Sequence, residues 1–171
     1  MFLFAHPTNQ SFIMGTVLTL AGEALRVWGV AYAGSLTRVT GNVGAPSVIT
    51  AGPYAHVRNP IYVGNILLYV GLGIASNMLL PWLPLTAAFF FAAQYAMIVS
   101  LEEEFLEKEF GAGYLEYKKN VPRFFPRMIS YQTPAQAEQL PNWKEALRSE
   151  TRTLQAIVLA YGTLVVLWLR S

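Results

Sequence analysis

The chain has no cysteine and no aspartate, only two histidines, and few charged residues of any kind. The absence of cysteine excludes disulfides, thiolate metal sites and a cysteine nucleophile. With His6 and His56 alone, a metal centre would depend on glutamates, so we expect no metal. The net charge of +2 is too small to indicate nucleic acid. Charged residues make up 13% against about 25% in soluble domains, and 54% are hydrophobic, which predicts a membrane protein.

Four apolar segments approach the length of about 20 residues that a helix needs to cross the hydrocarbon core. They are residues 11–34, 61–80, 84–101 and 154–169. Pro81 and Pro84 sit poorly inside a helix, so residues 77–84 are predicted to form a tight hairpin. The sequence therefore predicts an all-α polytopic membrane bundle of about four transmembrane helices. We expect a single domain over residues 1–171.

The basic residues predict the orientation of this bundle. Loops 35–60 and 102–152 contain ten of the twelve lysines and arginines and share one side if all four segments span. The positive-inside rule places that side in the cytoplasm and both termini outside. The Met1 end lacks the basic region of a signal peptide, so we expect it to be retained. The short chain without retention signals favours a prokaryotic plasma membrane.

Glycines recur along two of the segments and predict how the helices pack. Gly15, Gly22 and Gly29 are seven residues apart on the first segment, as are Gly64 and Gly71 on the second. Small residues on one helical face allow close backbone approach in lipid. This pattern indicates a packed bundle and carries no chemistry of its own.

The stretch before the second segment has the features of an anion-binding helix start. Asn59 and Pro60 are typical of the N-cap and first position of a helix. Such an end suits a carboxylate or phosphate, to which Arg58 could add hydrogen bonds. The preceding Gly-Pro turn could bring Tyr54 over the helix start, where its ring would stack a purine or hold a cation. An ordinary capped helix with Arg58 and Tyr62 as interfacial anchors explains the same residues.

A dense charged and aromatic stretch over residues 102–126 follows the third segment. Glu102 lies where a carboxylate could accept hydrogen bonds from ribose hydroxyls or an amino group. Glu104 and Lys108 are spaced to pair on another face. A solvated helix face is the alternative. However, the break at Phe110 and Gly111, followed by closely spaced tyrosines and prolines, is costly to order unless the segment folds back. We therefore predict a site at the bilayer surface.

Two charges lie inside the first apolar segment. Glu23 and Arg26 are three residues apart and can pair with each other. Charges within the membrane are costly and often face a bundle interior or a water-filled cavity. A self-neutralising pair that orients the helix is an equally good explanation.

The two motifs together resemble the isoprenylcysteine carboxyl methyltransferase family, which belongs with the membrane phospholipid methyltransferases. The resemblance covers about residues 46–126 and depends on GPY…RNPIYVG (52–64) and EE…L…FG…Y…Y…VP…P (102–126), which stand in the family's order and separation. It implies an all-helical membrane methyltransferase that uses S-adenosylmethionine and has no Rossmann domain. The cofactor contacts that it implies are Pro46, Ser47, Val48, Ile49, Tyr54, Asn59, Pro60, Ile61, Tyr62 and Glu102.

Two departures from the family pattern affect the catalytic candidates, which are Glu103, Arg58, Glu23 and Arg26. Asn59 stands where the family has histidine, and Asn can still cap and donate. Ile98 stands where the eukaryotic isoprenylcysteine enzymes have a substrate-binding arginine, which Arg26 could replace from the first helix. A carboxylate acceptor is already nucleophilic, whereas an amine needs a base such as Glu23 or Glu103. The sequence does not decide between a lipophilic carboxylate and a lipophilic amine as the acceptor.

Two other functions are compatible with the sequence. A membrane reductase of the sterol-reductase type, which uses NADPH, shares a similar Arg-His-Pro…Tyr and Val-Pro…Pro pattern, but the Glu102–Glu103 pair fits the methyltransferases better. A non-enzymatic membrane protein could also retain the fold. Besides the acceptor, the expected partners are membrane lipids. Residues 131–152 are polar, predicted helical from Trp143 onward, and have no assigned function.

Overall fold

The computed structural model describes residues 5–34 and 48–170, and all regular elements in these ranges are helices. Three of the main helices are long and apolar enough to cross a membrane, and the fourth, α2, is apolar but has 17 residues, at the lower limit of about 17–25. They are α1 (Asn9–Ala33), α2 (Pro60–Ser76), α3 (Trp82–Asn120) and α4 (Trp143–Trp168). The short 3₁₀ helices Gly52–Ala55 and Pro134–Glu138 lie between them. The predicted helical membrane bundle is confirmed.

Local chemistry sets the helix ends and corrects two predicted boundaries. α2 ends at Ser76 rather than residue 80, because Asn77 adopts a left-handed C-cap with φ 50°. α3 begins at Trp82, so Pro84 lies in its first turn rather than in the hairpin. A first turn tolerates proline, since its N–H groups have no helical acceptor. α4 begins at Trp143, as predicted for the helix, although the apolar segment begins only at residue 154.

α1 and α2 pack with their backbones in contact. A Cβ added at Gly22 would lie 2.6 Å from the carbonyl oxygen of Gly64 and 2.7 Å from the backbone nitrogen of Leu68. A Cβ at Gly71 would lie 2.6 Å from the backbone nitrogen of Thr19. Real Cβ atoms do not approach other atoms this closely. The two glycine stripes therefore allow the helices to pack in contact. The packing predicted from the glycines is confirmed.

The other two helices flank this central pair. α3 lies against α2 through stacked aromatic rings, of which Tyr69 and Phe91 have centroids 4.4 Å apart. α4 lies against α1, where the Asn142 backbone N–H donates to the Ala31 carbonyl at 2.7 Å. The main contacts therefore run in the order α3–α2–α1–α4 with antiparallel neighbours, and Leu164 of α4 also lies in one buried cluster with Ala75 of α2. This order brings the end of α1 and the beginnings of α2 and α4 to one side of the bundle.

The predicted break near Gly111 is also confirmed. Gly111 has φ 53° and ψ −127° inside α3, a left-handed conformation that glycine adopts without steric cost. Beyond it the chain turns, and Tyr114 and Tyr117 become buried against Val48 and Tyr131. The segment thus folds back onto the loop before α2. These contacts offset the conformational entropy that is lost when the segment becomes ordered.

We predict that Gly22→Ala destabilises the bundle whereas Gly162→Ala does not. Gly22 faces the backbone of α2, and overpacking of this kind costs about 1–3 kcal/mol. A Cβ at Gly162 on α4 meets nothing within 4 Å. The midpoint of thermal unfolding in detergent should fall for the first variant only. Equal midpoints would show that α1 and α2 are not in backbone contact.

Candidate active site

Backbone hydrogen bonds join the two motifs. The Arg58 N–H donates to the Pro122 carbonyl at 2.9 Å, and the Arg127 N–H donates to the His56 carbonyl at 3.0 Å. The ring Nδ1 of His56 lies 2.9 Å from the Arg127 carbonyl oxygen. The segment before α2 is therefore fixed along the segment after α3, although more than 60 residues separate them.

A buried carboxylate lies at the centre of this junction. One oxygen of Glu103 accepts from Arg58 Nη2 at 2.9 Å and the other accepts from Arg123 Nη2 at 2.5 Å. Glu103 lies just beyond the apolar part of α3, and its side chain is 4% exposed. Burial raises the pKa of Glu103, but the hydrogen bonds and charges of Arg123 and Arg58 outweigh it, so the net pKa is lowered. Glu103 is consequently an ionised anchor with both oxygens engaged.

Arg58 extends this anchor to the backbone. Its Nη1 donates to the Lys118 carbonyl at 2.9 Å and also contacts the Val121 carbonyl. These carbonyls belong to the last turn of α3 and its C-cap, where helical acceptors are otherwise unsatisfied. Arg58 thus binds the end of α3 while it neutralises Glu103, and the predicted catalytic candidates Arg58 and Glu103 form one ion pair.

Three predicted cofactor residues come together beside this ion pair. The Tyr62 hydroxyl donates to Glu102 Oε1 at 2.6 Å. Tyr54, on the first 3₁₀ helix, is close enough that burial and then the charge of Glu102 raise its pKa. The ring of Tyr62 also lies 4.7 Å from that of Tyr95, a residue that the sequence did not single out. Glu102 is exposed, so a carboxylate and aromatic faces are presented together at the surface of the bundle.

Three further predicted cofactor residues, Asn59, Pro60 and Ile61, lie at the beginning of α2. α2 begins at Pro60 with Asn59 as N-cap, as predicted, but the Asn59 side chain does not cap the helix. Its Nδ2 donates instead to the Arg123 carbonyl at 3.1 Å, which corrects the predicted capping role. Pro60 is buried, and Ile61 packs against Gly29 of α1.

The predicted stretch before the first 3₁₀ helix is described only in its second half. Val48 packs on the buried tyrosine cluster, and Ile49 is half-buried. Pro46 and Ser47 lie outside the described residues. The structure therefore places Val48 and Ile49 in the junction and leaves the first half of the stretch a prediction.

A glutamine that the sequence did not indicate holds this same stretch. Gln139 Oε1 accepts from the backbone N–H groups of Thr50 at 2.9 Å and Ala51 at 3.0 Å. Its Nε2 donates to the Val48 carbonyl at 2.9 Å. Gln136 adds a hydrogen bond to the Thr50 carbonyl at 2.8 Å. Residues 131–142, which had no assigned function, therefore clamp the loop that leads into the site.

The charges inside the first helix belong to a polar cluster that links three helices. Arg26 Nε lies 3.2 Å from Glu23, which confirms that these two residues pair. The Nη2 of Arg26 lies 2.5 Å from Glu150 and 3.5 Å from Thr153 on α4, and its Nη1 contacts Asn65 on α2. Arg26 is thus engaged by α1, α2 and α4 together, as expected for a charge that faces a bundle interior.

Ile98 stands where the resemblance implies a substrate-binding arginine, and it lies on α3 two residues before Ser100. Ile98 itself is half-buried on α3. Arg123 reaches the same helix from the loop, and its Nη1 donates to Ser100 Oγ at 3.2 Å. Its side chain is 34% exposed. No pattern in the sequence marks Arg123, because it is a single residue in an irregular segment.

Metal-binding geometry is absent from the part of the chain that the structure describes. Within residues 5–34 and 48–170, no three or more histidine and glutamate side chains are grouped so that they could hold a metal ion.

We predict that Glu103→Gln destabilises the protein far more than Glu104→Gln. Breaking a buried ion pair on one side costs about 3–5 kcal/mol, and the partial exposure of Arg123 puts this case near the lower figure. Glu104 forms a pair with Lys108 at 2.6 Å, but both side chains are more than 60% exposed. Such a pair contributes little. Chemical denaturation in detergent measures the free energy of unfolding of both variants. Similar decreases for the two would show that Glu103 does not hold the segments before α2 and after α3 together.

We predict that Gln139→Ala accelerates amide hydrogen exchange at Thr50 and Ala51. Both amides lose their acceptor, so the loop opens locally without global unfolding. Gln132→Ala is the matched control, since Gln132 is exposed and its side chain donates to Ser130 Oγ at the long distance of 3.4 Å. Exchange followed by mass spectrometry should rise at residues 48–51 in the first variant alone. Unchanged exchange there would show that the clamp is dispensable.

Comparison with known proteins identifies the family. The profile of the phospholipid methyltransferase family matches residues 10–113, more than half of the chain. The protein-S-isoprenylcysteine O-methyltransferase of Xenopus laevis is 33% identical over 120 residues, which are 67% of this chain and 40% of that protein. The cobalt-zinc-cadmium resistance protein CzcN of Cupriavidus metallidurans is 36% identical over 85 residues, 50% of this chain and 38% of that protein.

A third relative matches a similar share of the chain. The nickel-cobalt-cadmium resistance protein NccN of Alcaligenes xylosoxydans xylosoxydans is 31% identical over 86 residues, 50% of this chain and 39% of that protein. The chain thus spans about two fifths of the length of the curated relatives it matches. No solved structure matches it significantly. The family match confirms the resemblance of the two motifs, and the chain belongs to the phospholipid methyltransferase family.

Proposed function

We propose that the chain binds S-adenosylmethionine at the Tyr54–Tyr62–Glu102 cluster and methylates a lipophilic acceptor at the membrane surface. Membership of a methyltransferase family supports the reaction type. The single observation that carries the proposed site is the 2.6 Å hydrogen bond from Tyr62 to Glu102, beside Tyr54. This bond fixes an exposed carboxylate beside the ring of Tyr62, which itself lies 4.7 Å from the ring of Tyr95.

The residues of the cluster fit the chemistry of S-adenosylmethionine. The Glu102 carboxylate can accept from the amino group or the ribose hydroxyls. The rings of Tyr54 and Tyr62 offer faces to adenine. The N-terminus of α2 beside them suits a carboxylate through its N–H groups and partial positive charge. These groups therefore match a ligand that carries a positive charge, a negative charge and a purine ring.

When bound, S-adenosylmethionine would supply a methyl group that is already electrophilic, so the chain has mainly to position the reactants. The Arg58–Glu103–Arg123 network holds the loop of Tyr54 against α3. Tyr62 orients Glu102, and the surrounding lipid and apolar helices limit access of water. In this proposal Arg58 and Glu103 are positioning residues rather than groups that contact the acceptor.

The polar cluster inside the bundle serves the acceptor side of the proposed reaction. A carboxylate acceptor needs no base, whereas an amine must lose a proton. Both oxygens of Glu103 are engaged by arginines, so Glu23 is the proposed base for an amine. Arg26 connects Glu23 to Asn65, one turn along α2 from Tyr62. Arg26 would orient the base.

We also propose that the site faces the cytoplasm of a prokaryotic cell and that both termini lie on the opposite side of the plasma membrane. Ten of the twelve basic residues fall in the sequence ranges 35–60 and 102–152, which contain the motifs of the site, and this supports the orientation through the positive-inside rule.

Calorimetry on the detergent-purified protein tests the proposed cofactor. We predict saturable binding of S-adenosylmethionine and S-adenosylhomocysteine that Glu102→Ala weakens by about tenfold or more, since a charged hydrogen bond is worth about 1.5–3 kcal/mol. Glu109→Ala is the control, because Glu109 is exposed on the same helix.

NADPH serves as the competitor in the same experiment. Binding of NADPH without S-adenosylmethionine would refute the proposal in favour of a reductase. Binding of neither ligand would leave a membrane protein that only retains the fold.

A further inference from the structure

The irregular stretch that follows α3, which we call the return loop (residues 121–130), exposes an apolar patch. Met128, Phe125 and Ile129 are 94%, 85% and 77% exposed. Phe89, which is 79% exposed, belongs to a helix long enough to cross a membrane, where lipid covers such side chains. The return loop belongs to no helix. A cluster of large exposed apolar side chains in such a loop marks an interaction surface.

Side-chain contacts show that the chain runs back along α3 before it forms this loop. Lys118 contacts Glu107. Later in the chain, Arg123 pairs with Glu103 at 2.5 Å and donates to Ser100 Oγ at 3.2 Å. Ser100 lies near the end of the apolar part of α3. The guanidinium of Arg123 therefore reaches the level at which α3 leaves the hydrocarbon core.

A second helix gives the return loop the same depth. The Arg127 backbone N–H donates to the His56 carbonyl at 3.0 Å, and the His56 ring centroid lies 6.4 Å from that of Trp28. Trp28 belongs to α1 and lies between one and two turns before that helix ends. Tryptophan is enriched where helices cross the interface of membrane and water. The return loop thus lies beside the ends of two apolar helices, at the surface of the bilayer.

The backbone of the return loop suits the headgroup region of a bilayer. Irregular backbone exposed to lipid does not occur within the hydrocarbon core, because its N–H and C=O groups have no partners there. The headgroup region supplies water and polar groups to such a backbone. Apolar side chains at this level enter the boundary between headgroups and acyl chains by about 5–10 Å, as those of interfacial helices do.

Two basic side chains at the return loop have no ion pair within residues 5–34 and 48–170. Lys119 is exposed. Arg127 Nη1 donates to the Asn120 carbonyl at 2.7 Å, which leaves the other nitrogens of the guanidinium for further acceptors. Because Asn120 follows Lys119, both cations lie at the end of α3. Basic side chains beside a bilayer attract acidic headgroups, and a guanidinium can bind a phosphate through two hydrogen bonds.

We propose that the return loop is a membrane-surface anchor. Phe125, Met128 and Ile129 enter the boundary between headgroups and acyl chains of the bilayer that contains the chain itself. Arg127 and Lys119 bind its acidic headgroups. The loop also carries the arginine that pairs with the buried carboxylate of the candidate active site, so the anchor sets the depth of that site in the membrane. The inference holds whether or not the chain transfers a methyl group.

Spin labelling tests the depth of the return loop, and the absence of native cysteine makes each label specific. Phe125→Cys and Met128→Cys are labelled with a nitroxide in the full chain, in nanodiscs of phosphatidylcholine and phosphatidylglycerol. Phe89→Cys is the lipid control. Ala112→Cys is the water control, because Ala112 is exposed and lies roughly 15 Å beyond Ser100 along α3. All four side chains are exposed, so the labels displace no packing.

We expect the labels in the return loop to be several-fold less accessible to a neutral nickel chelate in water than the label at Ala112, and readily accessible to oxygen, like the label at Phe89. Chelate accessibility at Met128 equal to that at Ala112 would overturn the anchor. Dipolar broadening at Met128 that disappears on dilution with unlabelled chain would show that a second copy covers the patch, and would overturn it as well.

A second arm tests the headgroups by comparing nanodiscs of phosphatidylcholine alone with nanodiscs that also contain phosphatidylglycerol. Chelate accessibility at Met128 should fall when the acidic lipid is present. Lys119→Gln should lessen this fall, and the further change Arg127→Gln should abolish it. Lys108→Gln is the matched control, because Lys108 is also exposed on α3 but is paired with Glu104 at 2.6 Å.

Phosphatidylcholine alone shows whether the variants keep the loop in place, since accessibility at Met128 should there be the same in all of them. Equal accessibility in the two lipid mixtures for the unaltered cations would overturn the binding of acidic headgroups. An equal loss of the lipid effect in Lys108→Gln and Lys119→Gln would overturn the assignment of that binding to the return loop.

Discussion

The carboxylate of Glu103 is the point on which the assembly of the candidate active site depends. It neutralises Arg58 from the segment before α2 and Arg123 from the segment after α3, and it is itself fixed by the helix between them. Because Arg58 and Glu103 are both buried, Arg58 could not stay in place without the carboxylate at a tolerable cost. This ion pair and the backbone hydrogen bonds beside it hold together the segments that carry Tyr54, Tyr62 and Glu102.

Arg26 has the corresponding role inside the bundle. Charges in lipid must be neutralised within the protein, and Arg26 finds carboxylates on α1 and α4 and an amide on α2. The glycine contacts set the separation of α1 and α2 but say nothing of α4. The polar cluster therefore helps to fix the position of α4 relative to the pair.

Residues that recur at helical spacing, and residues that break helices, made much of the fold predictable from the sequence. Apolar runs located the helices, the glycine stripes identified the α1–α2 contact, and Gly111 marked the break inside α3. The partners of the buried charges were not predictable. Glu150 lies 124 residues from Arg26 and is a single acid in a polar stretch. Gln139 acts on the backbone, which imposes no residue pattern, so its role appears only when the loops are placed in space.

The arrangement of the two proposed binding regions follows from the opposite polarity of their ligands. In the proposed reaction a charged, water-soluble methyl donor reaches the exposed Glu102 from outside the bundle, whereas a lipophilic acceptor approaches the polar cluster from the bilayer. α2 borders both regions, through Tyr62 at Glu102 and through Asn65 at Arg26. A reaction between such ligands needs a helix whose beginning lies at the membrane surface and whose body lies in lipid. The 17 residues of α2 start beside Glu102 and meet this requirement, which explains why the proposed donor and acceptor regions share one short helix.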